Sequence, residues 1–227
     1  MLTLHHLEQS RSFRILWALE ELGLDYQIEF YRRQPDYTGP DSLKAIHPLG
    51  KAPILTDDGH VLAESGAILE YLQSQYDQES HFKPTDPAAL RDYIYWMHYA
   101  EGSLMPLLVF QLVISKVGER VPFLIRPLAN KITDGIRAGF VQPRLKDHIA
   151  FLEQYLGQHE YVAGQFSFAD IQMSFPLEAM ATRLQGHYPN IQKYLARIHV
   201  RPAYQQAKAR DPEQAQVQRY LLFIRYK

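Results

Sequence analysis

The pattern of apolar residues changes character once along the chain, and that change limits the folds open to it. The change falls at QESHFKPTDP (78–87), a polar stretch carrying Pro84 and Pro87. Before it, short alternating runs and short helical segments interleave. LTLHHL (2–7), DYQIEFYR (25–32), APIL (52–55) and HVLA (60–63) read as strands, and RSFRILWALEELGL (11–24), DSLKAIHP (41–48) and SGAILEYLQSQY (65–76) as helices. The helix between the first two strands makes them a parallel pair. The Asp57–Asp58–Gly59 turn makes the last two antiparallel. After the change, strand signals nearly vanish. Helical periodicity runs over 88–117, 122–156, 168–184, 189–199 and a short piece after Pro202. The expectation is an α+β chain: a βαβ–αββα domain over 1–77, a linker over 78–87 and an all-helical bundle over 88–227. The apolar tail QVQRYLLFIRYK is expected to dock on the body.

Composition narrows the chemistry. The formal net charge of −1 gives no electrostatic case for a nucleic-acid or anionic-membrane partner. The absence of cysteine excludes a disulfide framework, a thiolate metal site and a cysteine nucleophile. MLTLHHLEQSRSF lacks the basic start and apolar run of a signal peptide, and no apolar stretch approaches about 18 residues. A cytoplasmic protein is expected. No metal site is expected: His5 and His6 are adjacent on a strand and point to opposite faces, and His98 with Glu101 has no second pair.

Three stretches could carry chemistry. In HPLGKAPIL (47–55), Pro53 has no N–H to give a sheet. It marks an edge strand, or a cis bond that leaves the Ala52 N–H and C=O to pair with an extended peptide-like ligand. In VLAESGAI (61–68), Glu64 and Ser65 stand where a strand meets a helix. Ser65 is a helix cap, or a hydroxyl that holds a carboxylate at the helix start while Glu64 holds an ammonium. In LEQSRSFRILW (7–17), Ser10 and Ser12 cap the first helix or donate to an anion bound there. No histidine follows at a spacing that would make either a nucleophile.

Together, SRSFRILWALEELGLDY, HPLGKAPIL, LAESGAILEYL and FSFADI (166–171) resemble, in order, the cytosolic glutathione transferases. EGSLMPLL (101–108) points to the bacterial and fungal branch. The resemblance covers nearly the whole chain. It implies a thioredoxin-like first domain, a cis Pro53, glutathione as co-substrate, a detoxifying transferase activity and a homodimer. Carried over, Ala52 pairs with the cysteinyl backbone, Pro53 sets the bond, and Glu64 and Ser65 hold the γ-glutamyl end. Lys51 suits the glycine carboxylate, with Tyr37 second. Ser10 matches the catalytic serine of the serine-type classes and Ser12 is its alternative. Arg11 departs from the cysteine-using classes. Met105 and Leu108 would line the site of a hydrophobic electrophile, and Glu101 would reach the partner subunit. The bound thiolate would attack an electrophilic carbon or reduce a peroxide. A non-catalytic binding or regulatory protein on the same fold is the alternative. FSFADI reads as structural: Ser167 caps a helix and Asp170 reaches back to it.

Overall fold

The computed structural model describes residues 1–183 and 186–212, so the expected docking of the 216–227 tail lies outside the described residues. Four strands form one mixed sheet in the order β2-β1-β3-β4. Strand β1 (Leu2–Leu7) lies between β2 (Tyr26–Tyr31), parallel to it, and β3 (Ile54–Asp57), antiparallel to it. Its central place explains why Leu2, Leu4, His5, His6 and Leu7 are all buried. The edge strand β2 instead alternates half-buried and exposed residues along Tyr26–Phe30. Strand β4 (His60–Ala63) closes the other edge, joined to β3 by Asp58 (φ 44°) and Gly59 (φ 89°), the left-handed pair that a two-residue hairpin needs.

Helix α1 (Ser12–Glu21) crosses between β1 and β2 and buries Ile15, Leu16, Trp17 and Leu19. It is shorter than the apolar periodicity suggested: Gly23 at φ 63° turns the chain back into β2. Helix α2 is a single turn, Asp41–Lys44. Helix α3 (Ser65–Tyr76) packs on α1 and buries Ile68, Leu69 and Leu72.

The rest is helical: α4 (Pro87–Tyr99), α5 (Met105–Arg120), α6 (Arg126–Ile136), α7 (Gln142–Gln158), α8 (Phe168–Arg183), α9 (Pro189–His199) and α10 (Pro202–Arg210). Two joints are wide π turns, Ala100–Leu104 between α4 and α5 and Arg137–Val141 between α6 and α7. Each ends two residues before a proline, Pro106 and Pro143, that has no N–H to return to the preceding turn. The continuous run Pro87–Arg120 contains an 18-residue window of mean hydropathy 1.4, long and apolar enough by composition to cross a membrane. That corrects the expectation that no such stretch exists. In the fold, α4 packs on α8 and α5 on α6.

Trp17 of α1 meets Phe166 and Tyr204 at ring-centroid distances of 5.7 and 5.0 Å, so the first helix is set into the bundle core. In FSFADI, fully buried Asp170 accepts from the Ser167 N–H (2.8 Å) and hydroxyl (3.1 Å), the Val162 N–H (3.0 Å) and the Tyr194 hydroxyl (2.8 Å). It therefore ties the α8 start to the 162 loop and to α9. Burial pushes its carboxyl up to about 6, against the opposing effect of those four donors.

Candidate functional site

Gly50 begins the site. At φ 56° it turns the chain out of the 47–49 turn, and an added Cβ would lie 2.7 Å from Lys44 Cγ. Lys51, Ala52 and Pro53 follow, leading into β3. The Ala52–Pro53 bond is cis. Because β3 has neighbours on both sides, the edge-strand reading of Pro53 fails, and the proline stands one residue before the ladder begins.

Across from it, Glu64 precedes α3 with φ 71° and ψ 121°, a backbone conformation that non-glycine residues rarely adopt. Ser65 is the first residue of α3, and no side chain caps this helix. The cap reading of Ser65 therefore fails as well. Ser65 is 2 % exposed, and its hydroxyl accepts from Arg14 Nη1 at 3.1 Å. A hydroxyl that accepts from a guanidinium keeps its own hydrogen to donate, and the open N–H groups of the α3 start lie beside it. Exposed Glu64 adds a carboxylate at the same end. The side chains at this corner thus suit a zwitterionic amino-acid group: carboxylate on Ser65 and the helix, ammonium on Glu64.

Arg14 ties this corner to the bundle. It is fully buried on α1, and its Nη1 also donates to Glu101 at 2.6 Å. Arg11 Nε donates to both Glu101 oxygens at 2.9 and 3.0 Å. Burial lowers the Arg14 guanidinium to about 10, partly offset by Glu101, so it stays charged at neutral pH. Burial pushes the Glu101 carboxyl up, but the two arginines outweigh it and hold the group below its ordinary range. Expected at the partner subunit, Glu101 is bound within its own chain to Arg11 and Arg14. Glu101 lies within the π turn at 100–104. Arg14 Nε and Nη2 are buried without hydrogen-bond partners, with the Phe175 ring centroid 5.3 Å from Cζ.

These residues frame a cleft of about 200 Å³ lined by Arg11, His47, Lys51, Pro53, Glu64 and Ser65, with Ala52 and Glu101 also on its wall. Next to it opens a hollow of about 840 Å³ that shares Arg11, Leu49, Lys51 and Ala52 and continues along 33–39. Tyr37 lines the hollow and not the cleft. Ser10 and Ser12 line neither, being 7 % and 0 % exposed with their hydroxyl oxygens 2.5 Å apart. Met105 and Leu108, expected to face an electrophile, are 4 % and 5 % exposed and belong to the main apolar core. Among the described residues no group of three or more His, Asp or Glu could hold a metal.

Sequence reasoning placed Lys51, Ala52, Pro53, Glu64 and Ser65 together, and all five line one cleft. It missed Arg14 and His47. The signal for Arg14 was present: an arginine in the midst of the apolar face of an amphipathic helix needs an acid partner.

Residues 1–74 match the family described as "Glutathione S-transferase, N-terminal domain". The chain is 38 % identical over 208 residues to glutathione S-transferase 3 of Schizosaccharomyces pombe, covering 89 % of this chain and 85 % of that protein. It is 37 % identical over 221 residues to glutathione S-transferase 1 of Saccharomyces cerevisiae, covering 92 % and 94 %. A crystal structure of a glutathione S-transferase from Actinobacillus pleuropneumoniae superposes with a TM-score of 0.75 at 35 % identity, covering 92 % of each chain. The chain belongs to the glutathione S-transferase family.

Proposed function

We propose that the chain binds glutathione in the 200 Å³ cleft and activates its thiol for attack on an electrophilic carbon, with peroxide reduction as a second outcome of the same thiolate. The observation that carries this is the convergence of the cis Ala52–Pro53 bond and the Glu64–Ser65 corner on one cavity. Ala52 offers its N–H and C=O to the cysteinyl backbone. Glu64 and Ser65 take the γ-glutamyl ammonium and carboxylate, and Lys51 takes the glycine carboxylate as a point charge. Tyr37 stands farther off, toward the hollow.

The thiol of glutathione, like a free cysteine, has a pKa of about 8.5, so at neutral pH the protein must favour the thiolate. Two units of lowering correspond to about 2.7 kcal/mol. We further propose a cytoplasmic homodimer. Tyr95 (49 % exposed) and Phe151 (39 % exposed) flank an open hollow on α4 and α7 that a second copy would cover.

Conjugation of glutathione to 1-chloro-2,4-dinitrobenzene, followed by absorbance, tests the activity. Turnover that falls about tenfold or more in Ser65→Ala at sub-saturating glutathione supports the reading. Glutathione binding without turnover on this or any of a panel of electrophiles and peroxides would favour the non-catalytic alternative.

A further inference from the structure

Two hydroxyls and one guanidinium stand where β1 passes into α1, and the guanidinium is the group that faces the cleft. Ser10 Oγ accepts from the Ser12 N–H at 3.2 Å and shares a hydrogen bond with Ser12 Oγ. Ser12 Oγ accepts from the Leu7 N–H at 3.2 Å and lies 3.4 Å from the Leu7 carbonyl. The serines are thus engaged in closing the loop. Arg11, between them, lines both the cleft and the hollow. Its Nε is held by Glu101, and the Phe175 ring centroid lies 5.6 Å from its Cζ, so the head group is anchored rather than free to swing into solvent.

The end of β1 puts Arg11 near the expected thiol. Leu7, the last residue of β1, packs with Ile54 and Ala52 in one small apolar cluster, and the chain leaving β1 reaches Arg11 four residues later. Arg11 and Ala52 then share the wall of both cavities. A cysteinyl residue paired with Ala52 therefore lies along the stretch of wall that Arg11 forms.

We propose, resting on the glutathione reading above, that Arg11 is the catalytic residue that stabilises the thiolate in this chain. The S–H bond breaks, its proton passes to water, and the electron pair stays on sulfur beside the guanidinium. The thiolate then forms the S–C bond as the leaving group departs from the electrophile with its own pair. Arg11 and the buried Arg14 share one carboxylate, Glu101, and of the two arginines Arg11 is the one on the wall of the cleft. Glu178 on α8 also acts on Arg14. Lys51 and His47 face the cleft from the opposite loop, and Glu64 faces it from the α3 start. In the hollow, Lys44 is paired with Asp41 at 2.7 Å, and Arg33 and Asp36 also line it. An opposite charge within about 4–6 Å lowers a thiol's pKa by roughly 1–3 units.

The test is the thiolate absorbance of bound glutathione against pH, on the full chain and on Arg11→Gln, Arg11→Lys, Ser10→Ala and Ser12→Ala. The expected result is a bound-thiol pKa below that of free glutathione in the wild type. It rises by about one unit or more in Arg11→Gln, is partly restored in Arg11→Lys and is unmoved in Ser10→Ala. At neutral pH, kcat should fall about tenfold in Arg11→Gln while the glutathione Kd stays within about threefold. An unmoved thiol pKa in Arg11→Gln, or a rise in Ser10→Ala equal to it, overturns the proposal. Should Arg11 variants fail to fold, Glu101→Gln carries the test: removing a negative charge beside the thiolate lowers its pKa further, and no change or a rise overturns the proposal. Absence of glutathione binding to the wild type by calorimetry would overturn the function itself, an outcome distinct from binding with a thiol pKa that Arg11 does not control.

Discussion

Ser65 and Arg14 act as one unit at the residue scale. The arginine occupies the lone-pair side of the hydroxyl, which leaves the hydrogen to donate into the cleft. Ser65→Ala removes a hydrogen bond to a charged group, worth about 1.5–3 kcal/mol, so the glutathione Kd should rise at least tenfold by calorimetry. Arg14→Met should weaken binding through the same hydroxyl. The double variant should lose less than the sum of the two single losses, whereas strict additivity would separate the residues. Lys51, Ala52, Pro53, Glu64 and Ser65 were legible in the sequence because each is tied to a local event: a turn, a strand start or a helix start. Arg14 and Glu101 were not read as a pair. They meet across 87 residues of chain, and no local pattern records which acid a buried arginine will find.

At the scale of elements, the strands and α3 followed from alternation and turn chemistry, since β1, β4 and α3 depend on local periods and on Asp58–Gly59. The π turns did not. Their prolines were visible, but a widened turn is a matter of backbone geometry that residue types do not record. Asp170 supplies a prediction at this scale. Its carboxyl is raised to about 6 from an ordinary 3.8, so between those values the folded state binds more protons than the unfolded. Stability contributed by this group is therefore greatest at low pH and falls as pH rises from about 4 to about 6. The decline corresponds to about 3 kcal/mol and levels off above that window. Urea unfolding of the wild type and Asp170→Asn at several pH values should show the difference between them declining over that window. A pH-independent difference would contradict the burial argument. Asp170→Ala, which strands the Val162 N–H, the Ser167 N–H and the Tyr194 hydroxyl, should cost several kcal/mol at any pH.

At the scale of the whole molecule, the change of patterning at 78–87 separates the four-stranded sheet from a helical bundle into which α1 is set. The bundle side also carries Tyr95 and Phe151, and Phe151→Asp should halve the solution mass seen by light scattering if these aromatics lie between two copies. An unchanged mass would move the interface elsewhere. If the corner made by Glu64 and Ser65 beside the cis Ala52–Pro53 bond recognises glutathione by its γ-glutamyl end, calorimetric titration of the wild type should separate glutathione from the dipeptide Cys-Gly, which lacks that end. The expected result is one glutathione per chain and at least tenfold weaker binding of the dipeptide. Equal affinity for the two, or no binding of either, would contradict it.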